Sequence, residues 1–530
     1  MADYIYTLET RLSPDQQKAV TLVQDAAKAA EMNLYLTGGA IRDVITGFPI
    51  RDLDFTVQGN ALKLQKDLER AGAVVGDSDD ETKTLLLTFK GGVRAEIAMA
   101  RSERYDKPGK PPQIATATIS EDLRRRDFTV NAMALSMNEG SRGLLMDPFN
   151  GVADIEAKVI RVLHNYAFLE DPSRLIRASR FTTRFHWPLE ERTQARYLSA
   201  KENNYIEYIQ SSSIGYEIEQ LAYEDDPLSI LKVYEKEGWL EVLNPRWSTA
   251  KVDSASLGAL MKTRQQMNEL GYAPDVAPAV LYFLTDRMGE KDISDLRRAI
   301  PRKDLVGAWK DLEEHAHQLA KRLAGKEAAT PSRAWQLLSG ARPEMVLFLA
   351  VTARQQAVAL KIKNFFTKWR QVQQKIPLPE MTELHITPQL PEYPKIANDV
   401  FLLLLDGKLR SRTETLKYLK PLAPPPPPPP PPPSKRGRAA KAAAAAAGAA
   451  SAKAKGKGKD QPAAPPAVGA KPEAKGKPTL QPPEAAPRPL APTKPAKPAK
   501  PPAKKPAAKP KARPAAKKNP PKKKAKGKKR

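Results

Sequence analysis

"LTGGAIRDVITGFPIRDLDFTV", residues 36–57, carries the densest chemistry in the chain. A strand-like run, "LYLTGG", enters a Gly-Gly turn, and "AIRDVITG" follows with the spacing of one or two helical turns closed by Gly47. "RDLDFTV" is a strand: Leu53, Phe55 and Val57 fall on one face, and Asp52, Asp54 and Thr56 on the other. Two carboxylates on one strand face repel unless a cation lies between them. Hard divalent ions such as Mg²⁺ take carboxylate oxygens and leave positions for substrate phosphates. A solvated strand face carries the same pattern, so the pair alone decides nothing. The upstream turn tips the balance. Gly38 and Gly39 open a helix, and backbone N–H groups there let a polyphosphate approach closely. Arg42 lies three residues further on and reaches toward the same phosphates. Anion cradle, arginine and metal-binding pair within about twenty residues point to phosphoryl chemistry with metal-bridged phosphates.

Outward from this stretch the pattern is mixed strand and helix. Residues 16–31 have helical apolar spacing. "TLLLTF" and "RAEIAMAR" are two further strands, joined at Lys90-Gly91-Gly92 by a hairpin turn. Glu96 in the second is a further ligand, a base for an attacking hydroxyl, or a solvated strand acid. "ARSERYDKPGKPP", residues 100–112, reads as a loop with Arg101, Glu103 and Tyr105 as polar handles. In "RRRDF", Arg126 is placed to hold triphosphate and Asp127 to accept from a ribose hydroxyl. Asn131 reads as a cap at a helix start after Phe128.

From about residue 165 to residue 423 the periodicity turns helical almost throughout. "EDPSRLIRASRF" sets Asp171, Arg174, Arg177 and Arg180 at steps of three, a stripe that winds slowly round a helix. Consecutive arginines repel, so the stripe implies an anionic partner. Asp171 is also a candidate N-cap, with Pro172 at the first helical position.

Four motifs in order and spacing resemble the class II tRNA nucleotidyltransferases, which include bacterial poly(A) polymerases. They are residues 36–57, "DLRRRDFTVNAMAL", "DPFNGVADIEAKVIRVL" and "EDPSRLIRASRF". The resemblance covers roughly residues 30–245. It implies an α+β, polymerase-β-like head followed by an all-α neck and body. The implied activity is template-independent addition of C and A, or of only one of them, to the tRNA 3′ end from CTP and ATP. Poly(A) addition is the nearest alternative, and a non-catalytic RNA scaffold is the alternative of another class. With the implied activity Asp52 and Asp54 hold Mg²⁺, and Glu96 stays, on its strand position alone, a candidate third catalytic carboxylate. Gly38, Gly39, Arg42, Arg126 and Asp127 then bind nucleotide, and Asp171 and Arg174 read the base. Arg177 and Arg180 support that helix or meet phosphates.

Composition sets the remaining bounds. The chain has 530 residues, no cysteine and a net charge of +27. No disulfide and no thiolate metal site is available. No apolar run approaches the ~20 residues that span a bilayer, so the expectation is a soluble, cytoplasmic chain with no membrane partner. From Ser434 to Arg530 there are 29 Lys and Arg against 3 Asp and Glu, which leaves the first 433 residues near neutrality. The expected organisation is a head over residues 1–160, a helical neck over 161–245, a tRNA-binding helical body over 246–423 and a disordered tail over 424–530. Ten prolines, Pro424 to Pro433, open the tail as a polyproline II rod of about 31 Å. The lysines beyond it suit non-specific RNA binding by counterion release.

Overall fold

The computed structural model describes residues 4–108 and 110–425. The proline run from Pro426 onward and the basic tail lie outside them. Two helices, α1 (Tyr4–Arg11) and α2 (Pro14–Ala29), lead into the head. Ser13 and Gln16 form a capping box at the start of α2. The head then alternates strand and helix: β1 (Asn33–Thr37), α3 (Gly38–Thr46), β2 (Asp52–Gln58), α4 (Gln65–Arg70), β3 (Val74–Asp79), β4 (Thr84–Phe89) and β5 (Val93–Met99). A hairpin of β6 (Arg101–Arg104) and β7 (Gln113–Thr116) follows, then α5 (Ile119–Arg124), β8 (Ala134–Ser136), β9 (Leu145–Met146) and α6 (Gly151–Ala157).

Seven strands form one mixed sheet in the order β3-β4-β5-β2-β1-β8-β9. Only β2 and β5 run parallel. Their register sets Asp52 beside Arg94 and Asp54 beside Glu96. Leu53, Phe55 and Val57 point the other way and are buried, as the alternation in the sequence requires. The hairpin between β4 and β5 turns at Gly91 and Gly92, with φ of 80° and 74°. Gly47, at φ 90°, ends α3. Two local expectations are corrected. Residues 100–112 are not simply a loop, because β6 pairs with β7 as a separate two-stranded sheet. The segment after Phe128 is no helix start but one 3₁₀ turn, Thr129–Asn131, leading into β8.

Beyond the head the chain is helical: α7 (Ala167–Glu170), α8 (Ser173–Phe185), α9 (Glu191–Glu202), α10 (Ser211–Ala222), α11 (Pro227–Glu237), α12 (Trp239–Leu243), α13 (Ser254–Glu269), α14 (Ala277–Leu284), α15 (Glu290–Ala299) and α16 (Lys303–Ala324). Further helices run to Leu419. One apolar core extends from Leu8 in α1 to Leu405, and a smaller cluster around Met381, Ile396 and Leu419 closes the C-terminal end.

The crossing of α10 and α15 depends on a missing side chain. A Cβ on Gly215 would lie 1.7 Å from the Ala299 carbonyl oxygen. Gly215→Ala is therefore expected to cost about 2 kcal/mol or more, because backbone must move apart. Gly258 in α13 faces open space, and the same change there should stabilise by about 0.5–1 kcal/mol. Urea unfolding of the two variants checks this; equal effects would refute the packing argument.

Candidate active site

The sheet face bearing Asp52 and Asp54 forms one wall of a cleft of about 920 Å³. Arg177 of α8, Tyr216 of α10 and Tyr223 at its end add to the lining, as do Arg302 just before α16 and Lys303 at its start. A second cavity of about 940 Å³ lies among the body helices near Tyr282, Glu313 and Arg354 and touches none of the residues singled out in the sequence.

The acids crowd one another. Burial, then Glu96 and Asp52, push the Asp54 carboxyl up to about 7, against the opposing pull of Arg126 and Arg42. Asp52 Oδ1 is buried and accepts no hydrogen bond. Arg94 Nη2 lies 2.6 Å from it, off the hydrogen-bonding directions. Among the described residues, no three ligating side chains are gathered closely enough to hold an ion alone. This donor set, two strand carboxylates with an unsatisfied oxygen and a crowded partner, fits a hard divalent cation whose other ligands come from phosphates or water.

Gly38 and Gly39, which the sequence offers as an anion cradle, stand close to Arg126, Arg42 and Asp54. Gly38 has φ of 63°, and a Cβ there would sit 3.0 Å from Arg126 Nη1 and 3.3 Å from Asp54 Oδ2. On Gly39 a Cβ would lie 3.3 Å from Arg42 Nη2. The positive φ at Gly38 disfavours any side chain, and on Gly39 one would crowd the Arg42 guanidinium. Arg126 is braced by Asp122 Oδ2 at 2.9 Å and Thr56 Oγ1 at 3.2 Å. Arg42 is buried over the Phe185 ring and donates to Asp43 Oδ1 and Asn131 Oδ1. Asn131 is thus no helix cap. Its Oδ1 accepts from Arg42 at 2.6 Å, and its Nδ2 donates to Asp127 at 3.0 Å.

Asp127 is already occupied. Oδ1 accepts from the Phe128 amide and Asn131, and Oδ2 pairs with Arg177 Nη1 at 2.9 Å. Arg177 Nε donates to Glu217 Oε1 at 2.8 Å. Glu217 Oε2 accepts from Arg180, whose Nη1 donates to Glu224 Oε1 at 3.0 Å. Arg51 closes the chain on Glu224 Oε2 at 3.1 Å. The anions that the arginine stripe requires are thus mostly carboxylates of the neck. Arg180 is 3% exposed and all three of its nitrogens donate to Glu217 or Glu224, so the expectation that it binds nucleotide is corrected to support of the helix.

Asp171 Oδ1 accepts from the Ser173 amide and hydroxyl, but the N-cap of α8 is Pro172 and Ser173 is its first residue, so the expectation of Asp171 as N-cap with Pro172 inside the helix is corrected by one position. Its Oδ2 faces Arg174 Nε at 3.7 Å. Arg174 donates to the Ala167 and Arg125 carbonyls, while its Nε is buried without a partner. One carboxylate oxygen and one guanidinium N–H are thus left adjacent and unspent. The residues that the sequence reading missed are Arg94, Asp122, Glu217 and Glu224. Glu217 and Glu224 stand seven apart, a two-turn spacing that an arginine stripe invites one to look for.

With this geometry described, similarity can be placed beside it. Residues 34–161 match the Poly A polymerase head domain. Over 210 residues the chain is 40% identical to an A-adding tRNA nucleotidyltransferase of Aquifex aeolicus, a match covering 40% of this chain and 25% of that protein. Over 357 residues it is 29% identical to an A-adding tRNA nucleotidyltransferase of Halalkalibacterium halodurans, covering 65% and 82%. A CC-adding tRNA nucleotidyltransferase of Deinococcus radiodurans is 36% identical over 154 residues, covering 29% and 41%. The chain thus spans a quarter of the Aquifex relative and about four fifths of the Halalkalibacterium one. The resemblance read from the four motifs holds.

Asp127 yields a pH test. Burial pushes its carboxyl up, but Arg177 and the Asn131 hydrogen bond outweigh this and hold it at about 2, below the ordinary 3.8. A depressed carboxylate adds stability above its unfolded value and loses it as pH falls through the folded one. Asp127→Asn should be about 2 kcal/mol less stable than the parent at pH 7. Unfolding titrations should show that gap narrowing as pH drops from about 4 toward 2; a pH-independent gap would contradict the ion-pair assignment.

Proposed function

We propose that this chain is a divalent-metal-dependent nucleotidyltransferase that adds C, A or both to the 3′ end of tRNA from CTP and ATP. The observation that carries the reading is the meeting, in one cleft, of the Asp52–Asp54–Glu96 face with Gly39 and Arg42, with Gly38 set between Asp54 and Arg126 at its edge. The names of the relatives supply the substrate class. A non-catalytic scaffold has no need for an uncompensated carboxylate face, which costs stability.

Asp52 and Asp54 would hold the cation, Mg²⁺ being the expected ion. When bound it lowers the pKa of an attacking hydroxyl and shields charge on the leaving phosphates. The remaining work falls to the protein. Gly38, Gly39 and the start of α3 receive the triphosphate, and Arg126 neutralises it from the other side. Glu96 stands beside Asp54 at the exposed edge of the cleft and accepts the proton of the RNA 3′-hydroxyl. That oxygen bonds to the α-phosphorus, the bond to the β-phosphate oxygen breaks, and pyrophosphate leaves. Asp171 and Arg174 offer one acceptor and one donor to a base edge. Asp127, Asn131 and Arg177 hold the wall on which the nucleotide rests. We assign residues 1–160 to the head, 161–245 to the neck and 246–423 to the tRNA-binding body, place the chain in the cytoplasm, and give the basic tail a non-specific hold on RNA.

Partial addition is the variant to separate, because the relatives include proteins named A-adding and CC-adding. The test incubates the protein with tRNAs ending before CCA, after CC, and complete, with CTP and ATP supplied separately. Incorporation on at least one acceptor is expected; none on any would overturn the reading. Asp52→Ala and Asp54→Ala should each abolish incorporation and leave tRNA binding within a few-fold by filter binding. More than about 10% residual activity in both would refute the metal assignment.

Tail removal has its own expected outcome. Truncation after Ala423 removes charge but none of the cleft residues. Turnover at saturating tRNA should persist, and the salt dependence of tRNA binding should become shallower. Identical salt slopes for the two forms would show that the tail does not hold RNA.

A further inference from the structure

The neighbouring in-register pairs on β2 and β5 differ in charge. Asp54 stands beside Glu96, two acids together, whereas Asp52 stands beside Arg94, an acid beside a base. A cation shared by Asp52 and Asp54 therefore meets a guanidinium already seated on one of its ligands. Arg94 is not free to swing away. Its guanidinium lies 3.6 Å from the centroid of the Tyr223 ring, at the end of the neck helix α10. That distance is close stacking for a cation on an aromatic face. The other side of the guanidinium meets Asp52 Oδ1 at 2.6 Å. Contact without an aligned hydrogen bond leaves this oxygen close to a cation and without a hydrogen-bond donor of its own.

We propose that Arg94 is a positioning residue of the metal site: clamped between the Tyr223 ring and Asp52, it is the internal counter-ion that holds this carboxylate in place and competes with an incoming divalent cation. The inference rests on the reading of Asp52 and Asp54 as metal ligands. Two consequences separate this role from packing alone. Without the positive charge, the carboxylate face is more negative and draws a cation more tightly. Without the clamp, Asp52 is less well aimed, so turnover suffers although the ion binds better.

The experiment titrates the full-length protein with Mn²⁺, in the absence of nucleotide and RNA, and reads free Mn²⁺ by electron paramagnetic resonance. Arg94→Met removes the charge and keeps an apolar stem against Tyr223; Arg94→Gln is a second neutral variant should the first fold poorly. Either is expected to bind Mn²⁺ about three- to tenfold more tightly than the parent, while kcat falls and KM for the nucleotide changes little. Arg94→Lys keeps the charge and should bind Mn²⁺ as the parent does. Asp52→Asn is the control and should lose most of the binding. Equal or weaker Mn²⁺ binding in both neutral variants, with binding still lost in Asp52→Asn, would overturn the role of Arg94 and leave the metal site standing. Parent-like binding in Asp52→Asn would overturn the metal assignment itself, and this inference with it.

Discussion

A chain of alternating buried and half-buried charges, Asp127–Arg177–Glu217–Arg180–Glu224–Arg51, joins the mixed-sheet head to the helices that follow it. Its members come from the segment before the Thr129–Asn131 turn, from α8, from α10 and its end, and from the approach to β2. Arg51 directly precedes Asp52, so the chain ends one residue from the proposed metal ligands. Buried ion pairs of this kind contribute little net stability compared with apolar packing, but losing one member leaves an uncompensated charge in a dry interior. Their value lies in geometry: each arginine bridges two carboxylates, so the pieces fit in one arrangement only. Two residues before Glu217 on the same helix, Gly215 lets the backbone of α15 press against α10 at Ala299.

Against that neutralised frame, the cleft is left out of balance on purpose of chemistry. The wall of Asp127 and Arg177 is paired, whereas the face of Asp54 and Glu96 is not. The resulting rise in the Asp54 pKa marks a place where the fold accepts electrostatic cost. Arg94 moderates it at Asp52, and Arg126 and Arg42 moderate it from the cradle. On the proposed function, the cations of the cradle that ease the carboxylates also meet the triphosphate.

Local patterns were legible in the sequence; long-range pairings were not. The alternation in "RDLDFTV", the Gly-Gly opening of α3 and the Lys90–Gly92 turn all follow from backbone preferences within a few residues. The arginine stripe announced the need for anions, but not whose. Its carboxylates arrive some forty residues later on α10, and nothing in spacing alone connects the two. Arg94 was hidden for a related reason: only the parallel pairing of β2 with β5 brings it beside Asp52, and parallel strands are joined by long crossovers. The β6–β7 hairpin escaped because its strands are four residues long and polar, without apolar alternation. Asn131 was misread because a 3₁₀ turn entering a short strand mimics a helix start.

The charge chain can be tested at its centre. Glu217→Gln keeps the shape of the side chain but leaves Arg177 and Arg180 sharing a neutral amide. Equilibrium unfolding in urea, followed in parallel by far-UV circular dichroism and tryptophan fluorescence, reads the result. The account predicts a loss of about 3 kcal/mol or more. A variant within about 0.5 kcal/mol of the parent, the range of an ordinary surface change, would contradict the claim that this chain fixes the neck against the head.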